Sequence, residues 1–428
     1  MKIVIMRPLS VFSALLSLLV LLFSGCSGRN AAANNTSAED SAAVNTEDQA
    51  AKDHAARLQA ASRIAAALSD RQLAAQVIIS GIDGKGRLPS YMRLLLTECP
   101  AGGIMLFRYN LDTDNDAIQE LIAETAAFIT SENIVELQTI AAVPPFITVD
   151  HEGGSVNRFR PGVADLPPAA SYREIALNKG RDSAIAQVNA DSFNAGKAIN
   201  TLGINLNLAP VAEYLNAENR DFLEDRSYGP DPAFAAEAAG AFIAGMEQAG
   251  VLCVVKHFPG SAGADPHRFP SVLKGGRDDI AELTGPIAAL IHDGHARAVM
   301  VSHSVVPAWD SANIASLSPV VMGEWLRQEL GFEGIIVCDD FSMAAAAGPV
   351  AASGTAAANQ SQLKPETAAV LSLAAGADMV LVWPPDLRRT HRAIVAALDD
   401  GSLSRERLRE AAGRIIFEKI RMGLIHDE

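Results

Sequence analysis

Charged and polar side chains stand where short apolar runs stop. Asp150 closes the run 146–150, and Lys256 and His257 close 254–257. Ser302 closes 298–302 with His303 next to it, and Asp339 closes 334–339 with Asp340 next to it. Behind the second of these runs, Asp265 and His267 form a D-x-H pair in a loop that Pro259 and Gly260 open. These residue types suit proton transfer and the gripping of hydroxyl groups. A carboxylate on one imidazole nitrogen fixes the tautomer and raises basicity, so the other nitrogen can handle a proton. Asp150 can accept from two neighbouring hydroxyls, and Lys256, His257, Arg158 and Arg226 can donate to hydroxyl or amide oxygens. Any one of them could instead be a helix cap or part of an ion-pair network. Four coincidences with strand ends are hard to assign to capping alone.

The elements that must position these groups read as eight strands, at 76–80, 103–107, 146–150, 204–208, 254–257, 298–302, 334–339 and 379–382. Between them lie amphipathic stretches, among them 116–130, 232–248, 279–293 and 318–330. Short apolar runs alternating with helical patterns predict an α/β fold, a (β/α)₈ barrel in a single catalytic domain. That fold places its site at the C-terminal ends of the strands. A doubly wound open sheet is the alternative, but no Gly-rich dinucleotide fingerprint follows any of the runs, and no cofactor is implied. Residues 344–362 form an Ala-rich insertion after the seventh strand, expected to be a mobile loop.

The chain has 428 residues, half of them hydrophobic (49%), enough for a sizeable core. A formal net charge of -15 argues against a nucleic-acid partner, which needs a basic face. Lys2 and Arg7, an apolar run at 9–23 and the small residues before Cys26 predict an export signal over 1–26. Cys26 stands as the lipid-accepting residue of a bacterial lipobox, although Phe23 is unusual three places before it. Residues 27–54, with almost nothing to bury, read as a flexible tether, and 55–428 as the catalytic domain. The expectation is a lipid-anchored protein of the bacterial cell envelope, its membrane contact made through that anchor. Cys99, Cys253 and Cys338 read as buried thiols, and no pair of them has metal-ligand spacing.

Several segments together resemble the β-N-acetylglucosaminidase branch of glycoside hydrolase family 3. Lys256-His257-Phe258-Pro259-Gly260 with Asp265-Pro266-His267 is similar to its K-H-F-P-G-H-G…D-S-H signature. Val149-Asp150-His151-Glu152-Gly153-Gly154 with Arg158-Phe159 resembles I-D-Q-E-G-G-R-V-Q-R-F, and Asp225-Arg226-Ser227-Tyr228-Gly229 resembles D-R-S-F-G. Cys338-Asp339-Asp340-Phe341-Ser342-Met343 is similar to the S-D-D-L-S-M that carries the nucleophile. The likeness spans about residues 70–424, in the family's order. It implies a retaining β-glycosidase acting on a carbohydrate, with Asp339 as nucleophile and His267, backed by Asp265, as acid/base. It implies substrate contacts at Asp150, Arg158, Arg226, Lys256 and His257. Ser261 and Ala262 replace the family's His-Gly, Glu213 replaces an Asp, and the loop from Gly260 to Asp265 is short. These changes leave two other readings open, a sugar-binding barrel without turnover and a glycoside phosphorylase.

Overall fold

A computed structural model describes residues 36–136, 140–263, 265–266, 268–269, 271–343, 346 and 363–425. Two compact units divide the chain, Met1–Asp53 and His54–Glu428. Of the segment read as a tether, residues 27–35 lie outside the described residues. Residues 36–54, expected to be a flexible tether, fall within the helix Thr36–Ala67; Ala, Glu and Gln are strong helix formers. The Ala-rich insertion and the Cys26 signal also lie outside the described residues, apart from Ala346.

Eight parallel strands close into a barrel in the second unit. In chain order they are β1 Ile78–Gly81, β2 Gly103–Leu106, β3 Phe146–Val149, β4 Leu206–Asn207, β5 Leu252–Phe258, β6 Ala298–Val301, β7 Ile335–Cys338 and β8 Met379–Val382. Each pairs with its sequence neighbours, and β8 returns to β1. At least one helix follows every strand, as parallel pairing requires. Every barrel-strand residue is buried, which explains why the strands read as unbroken apolar runs rather than alternating ones. All eight expected strands are present. β4 is the shortest because asparagines replace part of its ladder. Asn205 Oδ1 accepts from the Ile147 amide (2.8 Å), and Asn207 bonds the His151 amide and carbonyl (3.0 and 2.8 Å).

Local chemistry starts the helices where the sequence places them. Asp114 caps Asn115–Glu132, Asp231 caps Pro232–Gln248 with proline in its first turn, and Ser404 caps Arg405–Arg421. Segment 318–330 contains a wide, π-type helix, Val320–Glu329.

At the N-terminal face a fully buried carboxylate ties four elements together. Asp378 pairs with Arg327, with Arg407 at 2.7 Å and with Arg414 at 3.1 Å, and accepts from the Ile336 amide at 2.9 Å. Nearby, Lys419 donates to Gln76 Oε1 (2.9 Å) and the Gly102 carbonyl (3.0 Å), with its ammonium 5.0 Å from the Phe146 ring centre. Cys99, Cys253 and Cys338 are buried free thiols.

Candidate active site

The strand ends converge on one cavity of about 330 Å³ at the C-terminal face. Asp150, Lys256, His257, Arg158, Arg226 and Asp339 all line it, so it gathers six of the residues singled out from the sequence. Asp265 is half-buried, its carbonyl accepting the amides of Arg268 and Phe269 at 2.9 Å each. His267 lies outside the described residues, although Pro266, its neighbour, lines the cavity.

Asp339 follows β7 directly. Its amide donates to the Val301 carbonyl of β6 (3.2 Å), which fixes its backbone between two barrel strands. Its Oδ1 accepts from the Asp340 amide at 2.8 Å. Oδ2 has no hydrogen-bond partner among the described residues. Asp340 also lines the cavity, but its carboxylate holds the turn. Its Oδ1 accepts from the Ser342 amide (2.8 Å), and its Oδ2 accepts from Ser342 Oγ (2.7 Å) and the Trp383 indole (2.6 Å). From β6, His303 Nε2 donates to the Asp340 carbonyl (3.0 Å), leaving Nδ1 to accept from Ser316 (2.7 Å). Burial holds this imidazole below its ordinary pKa despite the pull of the Asp339 charge, consistent with a neutral supporting role.

Opposite lies an ion-pair cluster. Lys256 Nζ bridges Asp150 Oδ1 and Glu152 Oε1, both at 2.6 Å. Arg158 reaches Asp150 Oδ2 at 2.5 Å, and Arg226 grips Glu152 with two bonds of 2.7 and 3.0 Å. Burial by itself would raise the Asp150 carboxyl. The charges of Lys256 and Arg158 outweigh it and hold the carboxyl well below the usual carboxylate range. Burial would likewise lower the Lys256 ammonium, but Asp150 and Glu152 keep it above its ordinary value. Asp150 and Lys256 therefore stay charged at neutral pH, preorganised for polar groups of a ligand. Arg158 and Arg226 both line the cavity and serve the network, so the two readings of them coexist.

Glu152 and Glu213 complete the site, and neither was singled out as a site residue from the sequence. Glu152 sits inside the quoted D-H-E-G-G segment, two residues beyond Asp150. Glu213 is marked in the sequence only as a replacement for Asp. In the structure its Oε1 bonds His257 Nδ1 at 2.7 Å and accepts from Ser261 Oγ at 3.1 Å. His257 must then present Nε2 to the cavity. Ser261, standing where the resembled family has histidine, thus joins the Glu213–His257 pair. Behind it, Ser304 Oγ donates to the Gly260 carbonyl at 3.1 Å and bonds Ser271 Oγ at 3.0 Å, pinning the two ends of the shortened loop. Among the described residues no three His, Cys, Asp or Glu side chains gather in a way that could hold a metal ion.

Known proteins resemble this chain in sequence and fold. Residues 72–417 match the family described as the glycosyl hydrolase family 3 N terminal domain. A β-hexosaminidase of Methylococcus capsulatus is 32% identical over 302 residues, which cover 69% of this chain and 79% of the relative. Among solved structures, a glycoside hydrolase family 3 β-N-acetylglucosaminidase from Paenibacillus sp. superposes with a TM-score of 0.73 at 29% identity. That match covers 84% of this chain and 63% of the other, so the chain spans less than two thirds of that structure. A third is NagZ of Neisseria gonorrhoeae in complex with N-trifluoroacetyl-D-glucosamine, at 27% identity and a TM-score of 0.61, covering 80% of this chain and 89% of that one.

Proposed function

The chain belongs to glycosyl hydrolase family 3, and from that premise we propose that it is a retaining β-N-acetylhexosaminidase that releases N-acetylglucosamine from peptidoglycan- or chitin-derived fragments. The observation that carries the proposal is Asp339, rigidly set at a barrel mouth, with one carboxylate oxygen bonded to a backbone amide and the other open to the cavity.

The chemistry follows from that geometry. Asp339 Oδ2 attacks the anomeric carbon while the bond to the leaving oxygen breaks. The leaving oxygen takes a proton from the acid/base, for which we propose His267 with Asp265 behind it; their support is the D-x-H spacing and the cavity position of Pro266. Water then attacks the glycosyl-enzyme from the vacated side and gives its proton to the same imidazole, so configuration is retained. Asp150, Lys256, Arg158, Arg226 and His257 would hold the sugar hydroxyls and acetamido oxygen, fixing the anomeric carbon near Asp339. Incubation with a 5-fluoro-N-acetylglucosaminyl fluoride tests the proposal. A mass increase of one sugar on the Asp339 peptide is expected. A folded protein that binds the reagent without forming that adduct would overturn it.

The location belongs to the same proposal. The signal over 1–26, Cys26 and the polar composition of 27–54 support a catalytic domain held at the cell envelope by a lipid on Cys26. Expressed in a bacterium fed labelled palmitate, the full chain should take up label and sediment with membranes, and Cys26→Ser should do neither. Label on the Cys26→Ser variant would refute the anchor.

A further inference from the structure

Four side chains from four elements stack into one column beside the loop 260–276. Phe258 ends β5, one residue after His257. Its ring centre lies 4.8 Å from that of Trp325, on the helix Val320–Glu329. Trp325 stacks on Trp309 at 4.3 Å, the two indoles within 5° of parallel. Trp309 stands in the turn between Val305–Val306 and Asp310–Ile314, the antiparallel hairpin that follows β6. The Arg277 guanidinium lies 4.1 Å from the centre of the Trp309 ring. At such separations a group lies over a ring, not at its edge, so Trp325 covers one face of Trp309 and Arg277 the other. Arg277 Nε also donates to the Ala308 carbonyl at 3.2 Å, which holds the guanidinium against the hairpin.

The column joins the two stems of that loop. Phe258 leads into it, and Arg277 opens the helix Arg277–His292 that leaves it. The return stem is also tied to the hairpin, since the Val305 amide donates to the Ser271 carbonyl (2.8 Å) and the Val305 carbonyl accepts from the Leu273 amide (2.9 Å). We infer that Arg277 and Trp309 are positioning residues for the proton transfer to the leaving group, holding the return stem in register with β5. The inference rests on the glycosidase reading and adds two residues to it, neither of which lines the cavity. Its physical reason is a shared reference. Lys256 and His257 line the cavity from β5, so a sugar they hold is placed relative to that strand. A proton donor carried on the loop must meet the sugar's leaving oxygen within hydrogen-bond reach, and an error of about 1 Å costs on the order of a hundredfold. A loop on two free stems would not keep that register. Flat stacked side chains with few torsions would, and this column refers the far stem back to Phe258, the residue next to His257. Arg277 is exposed, so its stacking adds little to the core, and what it restrains is the segment that it ends.

The test compares a leaving group that needs a proton with one that does not. With chitobiose, whose leaving sugar oxygen must be protonated, Arg277→Ala should lower kcat/KM about two- to fivefold, the order of one exposed cation–π contact. Trp309→Leu, which loses both stacking partners, should lower it about tenfold. With dinitrophenyl N-acetyl-β-glucosaminide, whose phenolate departs unprotonated, both variants should match the wild type. Arg277→Lys, which keeps a cation over the indole, should recover most of the loss on chitobiose. Equal losses on both substrates would make the column a packing feature only, and no loss on chitobiose would also overturn the inference. Hydrogen exchange gives a second measurement that needs no turnover. Amides 271–276 should exchange faster in Arg277→Ala while those of β5 stay as in the wild type, and unchanged exchange at 271–276 would overturn the inference. The two proposals fail separately. A wild type that turns over neither substrate sinks the hydrolase, whereas a wild type that cleaves both, with variants showing no difference between them, sinks only the positioning role.

Discussion

Asp339 gives the turn only one bond, from the Asp340 amide, while Asp340 holds it through Ser342 and Trp383, so substitution at Asp339 should remove the nucleophile and leave most of the turn in place. Asp339→Gly is expected to lose activity by about a thousandfold or more, as enzymes do when a covalent nucleophile is removed. Added azide should restore turnover and give the α-glycosyl azide, because the small anion takes the place of the carboxylate on the same face. A β-azide product would place the nucleophile elsewhere. Glu213 makes a second claim at this scale. It acts on substrate only through His257, by keeping the proton on Nδ1 and Nε2 turned to the cavity. Glu213→Gln loses a charge-assisted bond worth about 1.5–3 kcal/mol. It should raise KM for an aryl glycoside on the order of tenfold, with kcat changed less. A fall confined to kcat would instead place His257 in the chemical step. The departure of Glu213 from the family's Asp was legible in the sequence. Its partner was not, because the two lie 44 positions apart with no periodicity that pairs them.

Among the elements, the strands were readable and the loops were not. A parallel barrel buries both faces of each strand, so β1 to β8 appear as apolar runs whatever surrounds them. The loop after Gly260, for which we propose the acid/base role, has no such signature. Gly260 and Ser271, on either side of it, are held by Ser304 through hydroxyl bonds, contacts between residues 33 and 44 positions apart. Buried Asp378 shows how the opposite face is held. It pairs with three arginines and accepts an amide from β7, so removing it leaves Arg327 without a counter-charge among the described residues and takes a partner from Arg407 and Arg414. Asp378→Ala should cost about 3–5 kcal/mol in chemical denaturation, in the range for breaking a buried ion pair. A loss under ~1 kcal/mol, the size of an exposed pair, would show the cluster to be open to water.

For the whole molecule, Lys419 links stability to pH. Burial pushes its ammonium down to about 7, with no carboxylate at its side among the described partners. The unfolded chain holds that proton up to its ordinary pKa of about 10.4. Between these values the unfolded state binds more protons, so stability rises with pH from about 7 upward. It is lost as pH falls back through 7. Lys419→Met, similar in length and uncharged, should flatten this rise in urea denaturation measured from about pH 7 to about pH 10. An unchanged slope would mean that another group titrates there.

The sequence by itself determined the class of fold, the strand ends and the family, because each is written locally, in apolar runs and contiguous motifs. The tertiary structure alone decided which charges meet, as where Lys256 reaches Asp150 from 106 positions away and bridges it to Glu152. It also decided that Phe107, Tyr109 and Trp383, drawn from distant parts of the chain, stack against one another. Closure of the barrel brings β8 beside β1, which pairs with β2 on its other side, and only that closure turns residues distant in sequence into neighbours.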